Sequence, residues 1–274
     1  MRRRRHWVWK GSWAIMDQGL FALLSFVVNV LLARSLPPPD YGAFAVAFSV
    51  LLLMGTVHTA VMGEPMHVLG PSRYRTRTGV YVPRVIPLHF VVTIGMSAIL
   101  LTVLTAFAVL HRPLATTTTL IALALSAPGI LFLWLMRRAC YIDSRPHLAA
   151  VAGLVYALLV PVGLLLLMRV DALTAGSGLV ILGISGLLVG GGLLPHLVNR
   201  RSQSTAPIPL SDIAQEHWND GRWALGSGLL SWVPGNAVML ALPLWHTLDD
   251  AGTLRVATTL MLPVQNIQTA LAAV

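Results

Sequence analysis

Charge is what this sequence has least of. Only 11% of its 274 residues are Asp, Glu, Lys or Arg, against 56% hydrophobic. A soluble domain carries about 25% charged residues, and a chain this poor in charge could not cover its apolar surface in water. Lipid removes that conflict, because there the solvent itself is apolar. Lysine is nearly missing as well: Lys10 stands alone, so the net charge of +9 is built almost wholly from Arg. The Arg residues fall in short clusters between long uncharged runs, not along one continuous face, which argues against a nucleic-acid partner. One cysteine, Cys140, excludes an intramolecular disulfide and a thiolate metal cluster, and reads as a plain small residue. The sequence has no Walker A loop, no H-E-x-x-H and no G-x-S-x-G, so neither an enzyme nor a cofactor is expected.

What the chain does have is long uncharged runs. A helix needs about 20 apolar residues to cross the hydrocarbon core. The spacing of charged residues predicts eight spans, at 12–34, 42–63, 86–110, 114–136, 147–168, 177–198, 223–246 and 255–274. The fold class is therefore all-α, a polytopic membrane helix bundle. The Arg run at the N-terminus resembles a signal-peptide start, but the apolar run after it is too long for one and more spans follow, so it reads as a retained first helix. Basic residues fix the orientation. Fifteen of the 19 Lys and Arg residues lie at the N-terminus and in the loops after spans two, four and six. The remaining four, Arg34, Arg112, Arg169 and Arg255, lie on the other side. The expectation is a multi-pass protein of the cytoplasmic (inner) membrane with its N-terminus in the cytoplasm.

The chain also repeats itself. Residues 11–52 align without gaps on 221–262, with 11 identical pairs in 42, including Gly11/Gly221, Trp13/Trp223, Asp40/Asp250 and Gly42/Gly252. About 4 identities are expected by chance in segments so rich in Leu, Ala and Val. The repeat unit is six helices long, and six is even, so both copies enter the membrane in the same direction, one of the known transporter plans. The domain reading is a basic N-terminus (1–11), a first six-helix lobe (12–198), a linker with a short surface helix capped by Ser211 (199–222) and the first hairpin of a second lobe (223–274). From Gly221 the second copy has 54 residues, which predicts a working protein of about 420 residues, twice the repeat.

Several stretches carry a family resemblance. Asp17-Gln18 in the first span, Leu31-Leu32-Ala33-Arg34, a Pro-rich turn with Tyr41-Gly42, Gly63-Glu64-Pro65, Arg137-Arg138-Ala139 followed by Tyr141, and Leu254-Arg255 with Pro263 resemble the polysaccharide-biosynthesis flippases of the multidrug/oligosaccharidyl-lipid/polysaccharide exporter superfamily. The resemblance implies two six-helix lobes around a water-accessible cavity that accepts the polar head of an undecaprenyl-diphosphate-linked oligosaccharide. Membrane lipid, the lipid-linked glycan, and a glycan polymerase or glycosyltransferases are the partners it implies. Two alternatives stand beside it: a cation-coupled multidrug exporter of the same superfamily, and a non-transporting membrane subunit of a glycan assembly system.

Polar groups at membrane depth are costly and mark candidate sites. Asp17 and Gln18 could bind sugar hydroxyls or a coupling ion; equally, Asp17 could lie at the interface near Lys10. Asn29 shares a helical face with Gln18 and could make one interhelical hydrogen bond, worth about 0.6 kcal/mol. Glu64 ends span two and is expected to pair with Arg73 or Arg75, or to act as a gate. His58 and His89, taken one at a time, are proton carriers or packing residues. Arg84 and Arg138 suit a diphosphate, although the charge bias of the loops explains them too. Pro234-Gly235-Asn236 suggests a helix broken at mid-depth. Gln265, Asn266 and Gln268 suggest a polar cavity wall. Gly186-x-x-x-Gly190 predicts close packing of span six on another helix. Arg2 to Lys10, with Trp7 and Trp9, suits anionic lipid headgroups.

Overall fold

The computed structural model describes residues 2–110, 116–198 and 208–272; the side chains before Ser12, at 14–15 and after Met261 lie outside the description. The described residues are all-helical: α1 (Arg2–Ser35), α2 (Pro38–His58), α3 (Glu64–Ser72), α4 (Thr78–Val109), α5 (Thr117–Ile142), α6 (Pro146–Arg169), α7 (Ala175–Val198), α8 (Leu210–Ala241) and α9 (Leu248–Ala272). A five-residue π-turn, Thr59–Gly63, joins α2 and α3 into one rod. Seven rods carry a stretch long and apolar enough to cross a membrane. The eighth rod, α9, lies where the last span was expected but is not among these seven within the described residues. The protein is a multi-pass membrane bundle.

Three boundaries differ from the sequence expectation. The second span does not end at Glu64 but runs on to Ser72. Pro65 explains the π-turn inside it. Proline has no N–H to give the carbonyl four residues back and its ring clashes there, so the helix widens, and the Glu64 N–H reaches back five residues to Thr59 O. Nor is there a separate surface helix at 211–222: α8 is continuous from Leu210 to Ala241. Its N-cap is Pro209, so Ser211 lies inside the first turn and bonds only the neighbouring Asp212. Pro234 does not break the membrane part of that helix either; it sits within it.

Helix α5 is the centre of the bundle, and glycines let its neighbours close on it. A Cβ at Gly186 would stand 2.5 Å from the Gly129 carbonyl oxygen, and one at Gly183 would meet Ser126 at 2.6 Å. The predicted small-residue seam of α7 therefore lies against α5, as small residues allow in lipid. Pro128 in α5 withdraws a donor from Ala124 O, and Ser97 of α4 supplies one instead, at 2.6 Å.

Residues 210 apart behave alike where α2 and α9 begin. Pro38 and Leu248 each start a helix. A Cβ on Gly42 would run into Leu248 O, and a Cβ on Gly252 would stand 3.4 Å from Pro38 O. Each aligned glycine thus faces the helix start of the other hairpin. Thr247 and Asp250 close the α9 start with reciprocal backbone–side-chain bonds.

Candidate functional site

Three cavities meet at Trp134 of α5. A Cβ on Gly55 would stand 2.5 Å from the indole, so only glycine leaves the ring its place beside α2. The largest cavity, about 590 Å3, lies between α2, α5 and α8; Thr56, Thr59, Glu64, Ser227, Ser231 and Asn236 give it a hydroxyl, amide and carboxylate lining, with Trp134 and Trp232 as its aromatic walls. A second, about 290 Å3, opens between α1, α2, α5, α6, α7 and α9 and reaches Asn29, Tyr156 and Arg255. A third, also about 290 Å3, reaches Gln18, His67, Arg137, Arg138 and Tyr141.

The Arg137 end is a closed charge network. Asp17 is fully buried because three donors hold it. Arg137 gives it Nε at 3.1 Å and a terminal amino group at 2.7 Å, a two-pronged pairing, and the Tyr141 hydroxyl donates at 2.6 Å. Arg137 also lies 3.4 Å over the Phe21 ring. Gly153 of α6 leaves room for the carboxylate. Next to this, Arg138 pairs with Glu64 at 3.5 Å and donates to His67 Nε2. Arginine only donates, so His67 accepts there and carries its proton on Nδ1.

The Arg255 end is built otherwise. Arg255 of α9 is buried. Its Nε donates to Asn29 Oδ1 at 3.0 Å, and its guanidinium lies 4.4 Å from the Phe48 ring centre. The Tyr41 hydroxyl reaches the same Asn29 oxygen at 3.5 Å. No described carboxylate pairs with Arg255, and its side chain forms part of the second cavity's wall.

A further set of bonds docks α8 on the π-turn, on α4 and on the turn between α3 and α4. With Pro65 unable to donate to Val61 O, His217 Nδ1 takes that carbonyl at 3.1 Å. The carbonyl only accepts, so Nδ1 carries the proton, and Nε2 accepts from the Tyr81 hydroxyl at 2.8 Å. Gly221 lets α8 touch the π-turn, where a Cβ would stand 2.7 Å from Ala60 O. Beyond it, Glu216 takes Tyr74 at 2.8 Å and Arg73 at 3.0 Å. Burial first, then the bond to Glu216, pushes the Tyr74 phenol up to about 12, so it stays a donor at physiological pH.

Set against the sequence expectations, Gln18 lines the third cavity and Asn29 the second, Asp17 is held by Arg137, and the Lys10 side chain lies outside the description. Glu64 pairs with Arg138 and not with Arg73 or Arg75; Arg73 is engaged by Glu216. Arg138 reaches the third cavity, and Asn236 lines the first, donating to Trp232 O at 3.3 Å. Arg84 is exposed on α4 and lines none of these three cavities. The side chains of Gln265, Asn266, Gln268 and the N-terminal basic run lie outside the description. Sequence reasoning missed Arg255 as a site residue, yet a signal existed. It is one of four basic residues on the side where loop charge is disfavoured, so charge bias could not account for it. It also treated His58 and His89 as separate residues, whereas the fold brings them together at 2.9 Å.

No family model matches this chain, and no curated protein matches it in sequence. Among solved structures it is similar to the MATE multidrug transporter DinF-BH, solved with a ligand bound. The two superpose with a TM-score of 0.72 at 15% identity over 93% of this chain. The chain spans 61% of the length of that transporter. The shared property is the fold: a membrane helix bundle of the MATE transporter type.

Proposed function

We propose that this chain is the first lobe and following hairpin of a transporter that moves a lipid-linked, anionic glycan across the cytoplasmic membrane. The observation that carries this reading is the balance of charge around the cavities. Asp17 and Glu64, the carboxylates beside them, each have an arginine partner. Arg255 has no partner among the described carboxylates and donates to Asn29 instead. The surplus is positive, and guanidinium suits phosphate oxygens. The lining of the largest cavity supports the glycan part: Thr56, Thr59, Ser227, Ser231 and Asn236 match sugar hydroxyls, and Trp134 and Trp232 offer faces for sugar rings.

The second reading, a cation-coupled multidrug exporter, is supported by the fold shared with DinF-BH and by the two tryptophans, since aromatic faces attract cations. An exporter of cations would be served by a free carboxylate in the cavity, and both carboxylates are engaged. Complementation separates the two. The complete reading frame carrying these 274 residues is placed in a strain lacking its glycan flippase, and separately in a strain lacking its drug exporters. Restored surface polysaccharide with unchanged drug tolerance is the expected result. Raised dye tolerance with no polysaccharide, despite normal membrane insertion, overturns the proposal in favour of the second reading.

A further inference from the structure

Histidines 58 and 89 face each other where α2, α4 and α5 meet. His58 is 2% exposed and His89 is 0% exposed. Their rings stand edge to face, 5.0 Å between centres, with His58 Nε2 2.9 Å from His89 Nδ1. The other ring nitrogen of His89, Nε2, lies 3.2 Å from the carbonyl oxygen of Pro128. That carbonyl fixes the direction of the whole chain. It only accepts, so His89 carries its proton on Nε2 and its Nδ1 holds a lone pair. His58 Nε2–H must then be the donor between the rings, which leaves the His58 Nδ1 lone pair as the free end.

We propose that the His58–His89 pair is a proton-binding site, filled from His58 and storing the proton on His89. A proton delivered by hydronium adds to His58 Nδ1. The Nε2 proton of His58 passes along the existing hydrogen bond to His89 Nδ1. His58 is left neutral, now protonated on Nδ1, with its Nε2 lone pair accepting from His89. His89 becomes an imidazolium, and its Nε2–H bond to Pro128 O becomes charge-assisted. Two rings favour that cation: Phe90 at 5.0 Å and Phe132 at 5.5 Å between centres. The surroundings thus hold one acceptor carbonyl, two aromatic rings and a second imidazole.

The charged groups around the pair set when it fills. From α5, Arg138 is the charge that acts on His58. From α3, Glu64 and His67 meet Arg138, not the pair itself. From α4 there is His89 alone. No described carboxylate acts on either ring, so a proton on the pair is opposed by Arg138, whose charge Glu64 offsets in part at 3.5 Å. Proton entry therefore competes with the Arg138 charge and is favoured once an anion lies against Arg138. That linkage between anion and proton rests on the transport reading; the proton site does not.

The test is nitrogen NMR of the full chain, labelled at histidine and held in detergent micelles, titrated from pH 8 to about pH 3.5. The N–H···N bond gives a nitrogen–nitrogen coupling between two histidine rings, which identifies the pair without any substitution. The expected result is that these two rings titrate in one joint step. Adding inorganic diphosphate should move that step upward by half a pH unit or more, and Arg138→Gln should remove the response to diphosphate. The variant His89→Gln should leave His58 to titrate alone at a different midpoint. Rings that stay neutral across the range while the protein remains folded overturn the proposal. So does independent titration of the two rings. A joint step that ignores diphosphate keeps the proton site and removes its link to Arg138.

Discussion

The two ends of the cavity system solve the same problem in opposite ways. Both enclose an arginine within the helix bundle, which is costly unless the charge is paired or bonded. At one end Arg137 is matched by a buried carboxylate that also takes a tyrosine hydroxyl. At the other, Arg255 has an amide oxygen and a phenyl ring and no carboxylate. The first arrangement joins α1 to α5. The second joins α1 and α2 to α9, across the two hairpins related by the sequence repeat. A matched pair suits a fixed contact, and an unmatched cation suits a contact that must open or accept an anion.

That contrast can be broken by substitution. The largest effect is expected for Asp17→Ala, which strands Arg137 in a buried site and costs about 3–5 kcal/mol. Removing both partners, as Asp17→Leu with Arg137→Met, should recover most of that loss, read as a coupling energy from unfolding in micelles. A smaller effect is expected where the hairpins touch. Gly42→Leu puts a side chain into the Leu248 backbone and should destabilise by about 1–3 kcal/mol, with increased accessibility of α9 to water-soluble thiol reagents at introduced cysteines. Arg255→Met comes next. It loses the bond to Asn29 but also the cost of burying an unpaired charge, so stability should fall by less than about 1.5 kcal/mol, while binding of a diphosphate-bearing lipid should fall sharply. Smallest is Glu64→Gln. The Glu64–Arg138 pair is half exposed, and its loss should change stability by less than about 1 kcal/mol. If Arg255→Met proves as destabilising as Asp17→Ala, the contrast between the two ends is wrong.

Much of the fold was legible because lipid imposes a simple rule: helices must be long, apolar and internally bonded. Runs of uncharged residues therefore located every rod. Their ends were less legible, since charged residues can stay helical beyond the hydrocarbon. Arg137 and Arg138 lie inside α5, and Glu64 lies inside the α2–α3 rod. The glycine seam of α7 was readable from spacing alone. The π-turn was not, because Pro65 could equally have ended the helix; only its neighbours, Gly221 and His217, decide the outcome. The site was legible as a set of residue types and much less as a set of partners. Asp17 and Arg137 are 120 residues apart, Asn29 and Arg255 are 226 apart, and no local pattern links them. The histidine pair shows the same limit: each residue looked isolated until the packing of α2 on α4 joined them.

The measurement that bears most directly on the central claim is a binding comparison on the purified full chain in lipid nanodiscs. An undecaprenyl-diphosphate-linked oligosaccharide is set against a lipophilic monovalent cationic dye, with the Arg255→Met variant as reference. Tighter binding of the anionic lipid, weakened at least tenfold by that substitution, is the predicted result. Preferential binding of the cationic dye, unchanged or improved when Arg255 is removed, would contradict it.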